Sequence, residues 1–173
     1  MIGPTPLYAL LRRLDISFDY IEHPPLPTLD VAREVLRDRD VHLCKNLFFR
    51  NHKGNQHYLV ILSGDSSMDI HAIEHRLHEG KLTFASERRL QRYLGVTPGS
   101  VTPFALIHDT EHHVRVFLDK NLLQSSHLSF HPCINTASLT LPLEGFIRFM
   151  DHTGNAYEWI DLYPDDPQQT DSK

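Results

Sequence analysis

A chain of 173 residues, 40% hydrophobic and 23% charged, is long enough for one domain with a sizeable core, and its balance excludes disordered and fibrous classes. The net charge of −5 argues against a general duplex-DNA binder, which carries a basic surface; any nucleic acid must meet a local patch or be held by specific contacts at one end. No apolar run approaches the roughly 20 residues that cross a bilayer, MIGPTPLYALLRRLDI has no basic region followed by an apolar stretch, and Cys44 and Cys133 form no CxxC, so the expectation is a cytoplasmic protein without a disulfide framework.

In chain order, Leu7, Leu10, Leu11 and Leu14 recur at helical spacing and predict an amphipathic helix over Thr5–Leu14. Phe18–Glu22 reads as a short strand ended by the Pro24–Pro27 breakers, and Leu29–Arg39 as a second helix. Lys45–Arg50 and His57–Leu62 are apolar segments joined by NHKGNQ, which makes a hairpin. Met68–His78 is helical in pattern, with Ile70, Ile73 and Leu77 inward, and Leu82–Ala85 is a short strand. Ser86 is placed to cap a helix that runs through Leu94 and closes at Gly95.

After the stiff stretch VTPGSVTPFAL, Phe104–His108 and Val114–Leu118 read as strands joined by a polar HDTEHH connection. Leu128–Phe130 and Ser138–Leu141 are strands around HPCINT, Leu143–Met150 is a helix and Tyr157–Leu162 a last strand. The fold class is therefore α+β: a single domain over residues 1–163 with a mixed sheet, followed by a polar tail, 164–173.

Three stretches carry candidate chemistry. Lys45 stands at the start of an apolar strand, either as a solvated edge charge or as an ammonium at a pocket mouth that meets a phosphate or carbonyl. Asn46 points to the opposite face if the strand has begun there. His131, in FHPCINT with Asn135 nearby, either caps a loop or is a site residue held on a rigid strand. In GSVTP, Gly99 permits a turn and close approach while Pro103 stiffens the backbone, so the loop can aim N–H and C=O groups at one point, although most Pro-Gly pairs are plain turns.

The thirteen histidines offer weaker leads. HAIEH at His71–His75 matches an inverted zinc-protease pattern, but no third ligand stands out and solvated helix histidines are the expected reading. His112 and His113 read as surface, and Cys44 and Cys133 as small buried residues. Arg88, Arg89 and Arg92, with Arg12, Arg13, Arg33 and Arg37, form either a phosphate-facing patch or ordinary helix solvation. There is no GxSxG, Walker loop or GxGxxG.

Taken together, CKNLFFRN, LGVTPGSVTPFAL and FHPCINTASLTL resemble the YbaK/prolyl-tRNA-synthetase-associated domain family, and within it the free-standing alanyl-tRNA(Pro) deacylases. The resemblance covers nearly the whole chain and rests on the order and combination of the motifs. It implies a compact α+β domain with a mixed, mostly antiparallel, barrel-like sheet flanked by helices, and hydrolysis of the ester joining a wrong amino acid to tRNA.

By the same resemblance the catalytic residues are Lys45, Gly99 and His131. Asn46, Ser100, Val101, Thr102, Pro103 and Asn135 are substrate-binding, and there is no metal or other cofactor. The implied partners are the acceptor end of mischarged tRNA(Pro) and prolyl-tRNA synthetase, with no DNA and no membrane. Cys133-Ile134 stands where the family has an apolar pair beginning with leucine, and Ser138 where it has threonine; both changes bear on the shape of the amino-acid pocket. Deacylation of tRNA mischarged with Cys, Ser or Thr, and non-catalytic binding of tRNA or a synthetase, stand as alternatives.

Overall fold

The computed structural model describes residues 1–26, 29–37, 41–64 and 70–162. The elements are α1 (Thr5–Arg13), β1 (Asp19–Glu22), α2 (Leu29–Val35), β2 (His42–Asn51), β3 (His57–Ser63), α3 (Ile70–Leu77), β4 (Leu82–Phe84), α4 (Glu87–Leu94), a 3₁₀ helix (Pro103–His108), β5 (Val114–Asp119), a second 3₁₀ helix (Lys120–Gln124), β6 (His127–Phe130), β7 (Ala137–Pro142), α5 (Leu143–Thr153) and β8 (Tyr157–Ile160). The expected helix start at Met68, residues 38–39 of the second expected helix, and the polar tail lie outside the described residues.

One mixed sheet runs in the order β1-β7-β6-β2-β3-β5-β8, with β4 on the side of β2. Four pairings are antiparallel and three parallel. The path ends at β1 and β8, so the sheet is open and the expected barrel does not close.

The long antiparallel hairpin of β2 and β3 is the spine, paired from Cys44↔Ser63 to Arg50↔His57. Every residue of β3 is buried, because apolar layers cover both faces. Leu59 and Ile61 face the main core with α1, α4, α5 and the first 3₁₀ helix. Tyr58, Val60 and Leu62 face a smaller core under α3, with Ile73 and Leu77. Burying such side chains contributes about 1.5–3 kcal/mol each, and burial on both faces explains why HYLVILS is a continuous apolar run rather than an alternating one.

One local expectation is overturned. Phe104–His108 is helical, not extended: Pro103 occupies the first turn and the Thr102 hydroxyl accepts the Phe104 N–H at 3.4 Å. Phe104, Ala105 and Leu106 are all buried, so their run carries no period that separates strand from helix. The second 3₁₀ turn, capped by the Asp119 carboxylate on the Asn121 N–H at 2.9 Å, has no counterpart in the sequence reading. α4 begins after Ser86 and closes at the left-handed Gly95 as expected, although Ser86 makes no side-chain cap bond. Among the described residues no helix is long and apolar enough to cross a membrane.

Candidate active site

The site is built where two parallel strands part. β2 and β6 pair only at His42↔Leu128 and Leu43↔Ser129; beyond Leu43, β2 turns to its partnership with β3, and β6 runs on to His131. The fork between them holds a cavity of about 50 Å³. Leu43, Cys44 and Asn46 line it from β2, and Ser129, Phe130, His131 and Ser138 from the β6–β7 side. Ala32 and Leu36, in α2 and its following turn, roof it together with Leu26. Arg33 ties α2 down through a bond to the Gly64 carbonyl at 3.2 Å. Gly64 itself donates to Leu43 O at 2.7 Å, and a Cβ there would sit 2.6 Å from that oxygen, so only glycine lets β3 close on the fork.

Three of the expected groups converge here. The Asn46 amide Nδ2 donates to Val101 O at 3.1 Å, which binds the Gly99–Pro103 loop to the cavity wall. Its Oδ1 is buried and has no hydrogen-bond partner among the described residues. Gly99 is left-handed, at φ +84°, and its position lies near the Asn135 amide, 3.9 Å from where a Cβ would stand. The loop thus bridges β2 and the HPCIN turn. Ser100 donates its N–H to Thr97 O at 3.1 Å, and Ser100, Thr102 and Pro103 are buried. His131 holds Ala137 O through Nδ1 at 2.9 Å. Burial drives its pKa down, the Ala137 carbonyl pulls the other way, and His23 lowers it further.

Lys45 is brought close in chain but not onto the cavity wall. It is the fourth residue of β2 rather than its first, opposite Leu62. Strand alternation puts its half-buried side chain on the face away from Asn46.

His23 and Ser138 were not in the expected catalytic set. His23 is buried, its Nδ1 lies 2.8 Å from Pro24 O, its Nε2 2.8 Å from Ser138 Oγ, and its ring centroid 5.9 Å from that of His131. The His23–Ser138 contact spans 115 residues, and no local pattern announces it.

The remaining leads resolve into structure. His71 and His75 are exposed, and Glu74 is engaged by the Leu82 N–H at 2.7 Å and by His71 at 3.2 Å. Among the described residues no group of three or more His, Cys, Asp or Glu is placed to hold a metal ion. His112 is exposed, but His113 is not the surface residue expected: it is half-buried, its ring stacks on Tyr93, and its Nε2 meets His57 Nδ1 at 2.8 Å. Arg89 leaves the expected phosphate patch because it bonds Gly54 O and His57 Nε2, both at 2.8 Å. Both cysteines are free thiols; burial raises Cys44 far above the ordinary thiol range and pushes Cys133 up to about 12.

The model of the aminoacyl-tRNA editing domain matches residues 23–149, which takes in the fork, the loop and the three strands β5, β6 and β7 after it. Over 162 residues the chain is 37% identical to the prolyl-tRNA editing protein ProX of Acetoanaerobium sticklandii, covering 94% of this chain and 99% of the relative. It is 32% identical over 149 residues to prolyl-tRNA synthetase associated domain-containing protein 1 of Danio rerio, covering 85% and 80%. A crystal structure described as that of a candidate trans-editing enzyme for prolyl-tRNA synthetase superposes with a TM-score of 0.67 at 19% identity, covering 92% of this chain and 99% of that one, which speaks for the fold. With a family match across the cavity-forming strands and two relatives aligned over most of their length, the chain belongs to the aminoacyl-tRNA editing domain family.

Proposed function

We propose that this editing domain is a trans-acting deacylase that clears alanine from mischarged tRNA(Pro), and that the cavity at the fork of β2 and β6 is its acyl pocket. The observation that carries the reading is the pocket's volume of about 50 Å³. A cavity of about 150 Å³ takes up benzene, while one water needs only about 10–15 Å³. Room on this scale admits a methyl group and turns away a pyrrolidine ring.

The need for such a sieve is physical. A synthetase pocket shaped for proline cannot exclude the smaller alanine, since one or two methylenes are worth only about 1–3 kcal/mol. A second site that is too small for the correct product and hydrolyses the wrong one supplies the missing discrimination.

In this reading the terminal adenosine enters with its ester over the fork. Lys45, on the outer face of β2, reaches the terminal phosphate on its flexible stem, which keeps the charge outside the acyl pocket. The Gly99–Pro103 loop, anchored through Val101 O, presents backbone groups to the ester carbonyl and the sugar hydroxyls, with Asn135 beside Gly99. Water, or water oriented by the adenosine's 2′-hydroxyl, attacks the carbonyl carbon; the ester C–O bond breaks and the departing 3′-oxygen takes a proton. An aminoacyl ester is already activated, so positioning carries much of the catalysis. His131 orients rather than acts as base, because burial holds its basicity down, while its Nδ1–H, held by Ala137 O, fixes the ring. The work belongs in the cytosol, downstream of prolyl-tRNA synthetase as the source of the error.

The test is single-turnover deacylation of Ala-tRNA(Pro) beside Pro-tRNA(Pro), with Cys-, Ser- and Thr-charged tRNA as a panel. Alanine should be released at least about a hundredfold faster than proline. Equal rates for the two would remove the sieve, and a faster rate for another member of the panel would reassign the substrate.

A further inference from the structure

Phe84 is 58% exposed, whereas every other phenylalanine is buried or half-buried. It lies in β4, on the edge of β2 that β6 leaves at the fork, since β3 occupies the other edge. Phe84 pairs with Phe49, and the two ring centroids lie 4.6 Å apart with 38° between the planes. The fully buried Phe49 thus backs the exposed ring and fixes it. Lys45 and Phe49 are four residues apart on a strand whose register with β3 is unbroken. Their side chains therefore share one face, about 13 Å apart along β2. The peptide groups of β4 add a second feature. The Ala85 N–H donates inward to Phe48 O at 2.9 Å, so alternation turns the N–H and C=O of Phe84 to the outer edge, where Leu82 N–H already meets Glu74 Oε1 at 2.7 Å. Among the described residues β4 pairs with no strand but β2.

On the reading that Lys45 meets the phosphate of the terminal adenosine, we propose that Phe84 is a stacking platform for one of the unpaired cytidines that precede that adenosine, with the Phe84 peptide N–H and C=O at the base edge. A nucleobase is a flat π system with donors and acceptors around its rim, the complement of an exposed ring beside one open peptide unit. An added protein strand needs a run of open peptide groups. β4 is three residues long and offers Phe84 alone, because the Leu82 N–H is committed to Glu74. The RNA strand leaves the fork at Lys45 and follows the edge of β2, so the base that reaches Phe84 lies upstream of the adenosine. Binding energy gathered there positions the ester at a distance from the reacting atoms.

The probe is tRNA(Pro) in which each of these cytidines in turn carries pyrrolocytosine, a fluorescent cytosine, and alanine is joined through an amide that resists hydrolysis. Binding to the wild-type protein is expected to quench the fluorescence at one position. Phe84→Ala should abolish the quenching and weaken binding by about fivefold to a hundredfold, the scale of one base–aromatic stack. Phe84→Trp should retain both, and Phe84→Leu, apolar but without a π face, should not. Phe84→Ala should also lower kcat/KM on Ala-tRNA(Pro) by a like factor and leave it unchanged on alanyl-adenosine, which has the ester and the adenosine but no cytidine. Thermal melts confirm that each variant is folded.

Quenching that survives in the folded Phe84→Ala protein, or that is absent from the wild type at every position, overturns the platform. An equal loss on both esters does so too, since it marks Phe84 as only a support for Phe49. Each of these leaves the deacylase reading standing where the wild type clears Ala-tRNA(Pro) and spares Pro-tRNA(Pro). Phe84-dependent quenching in a protein that hydrolyses neither keeps the platform and overturns the acyl pocket instead. Unchanged RNA binding with lost capture of prolyl-tRNA synthetase reassigns the ring to a protein partner and overturns the proposal.

Discussion

Among the described residues two histidine pairs each set a buried ring against a half-buried one, and the second pair meets the cavity at the fork. His57 and His113 lie between the hairpin and α4: His57 is fully buried, its Nδ1 meets His113 Nε2 and its Nε2 meets Arg89, and its ring packs against Phe48 and Tyr93. His23 and His131 lie at the fork, where each spends one nitrogen on a backbone carbonyl and the second on the pocket or on a residue that lines it. Both regions lower a histidine pKa by burial, that of His57 to about 4. Perturbation is therefore the poorer guide to function here. On the proposed reading, hydrogen-bonding valence left open towards a cavity separates a site from a strut.

The largest effect that would break this comparison concerns neither pair. Lys45→Ala should lower deacylation of Ala-tRNA(Pro) by about 10²–10³-fold, the scale of losing one preorganised electrostatic contact, with an unchanged melting temperature; wild-type turnover in that variant would strip Lys45 of its role.

Next, the two regions should respond in opposite ways to the same change. His57→Ala removes a buried ring and orphans Arg89 and His113, and is expected to destabilise the fold by about 2–4 kcal/mol, read as a fall of roughly 2–4 °C in Tm per kcal/mol at this size, with the folded fraction fully active. His131→Ala should instead slow turnover by about tenfold or more with little change in Tm. If His57→Ala costs activity and His131→Ala costs only stability, the assignment of strut and site is reversed.

The smallest effect is on pH. Above pH 6.5 both folded and unfolded chains hold His57 neutral and its stabilisation is complete; as pH falls from 6.5 towards about 4, the unfolded chain binds a proton that burial, and the charges of His113, Arg89, Arg92 and Arg50, deny to the folded one. Stability should drop by on the order of 1–2 kcal/mol between pH 7 and pH 5, measured as the urea midpoint, and the slope should flatten in His57→Phe. His131 shifts in the same direction and adds to the loss. A midpoint that does not move would mean that the His57 pocket admits a proton.

Much of the fold was legible because its signals are local. The spacing of Leu7, Leu10 and Leu11 marked α1, Gly95 ended α4 in the left-handed turn only glycine takes readily, and the NHKGNQ link made the hairpin. Phe104–His108 misled because burial on every side erases periodicity. The motifs around Asn46, Gly99–Pro103 and His131 were legible as residues of one family. Their meeting at the fork depends on Asn46 bonding Val101, 55 positions away, which no local window contains.

By itself, then, the amino-acid order determined the elements, the single α+β domain and the chemistry available at Lys45, Asn46, Gly99 and His131, since helix period, turn residues and side-chain type are properties of short segments. Only the tertiary structure decided that β2 leaves β6 after Leu43 to open a cavity, that Lys45 stays off its wall, and that His23 meets the Ser138 hydroxyl. Cavity size and hydrogen-bond direction arise from groups far apart in the chain, and they exist only once packing has brought those groups together.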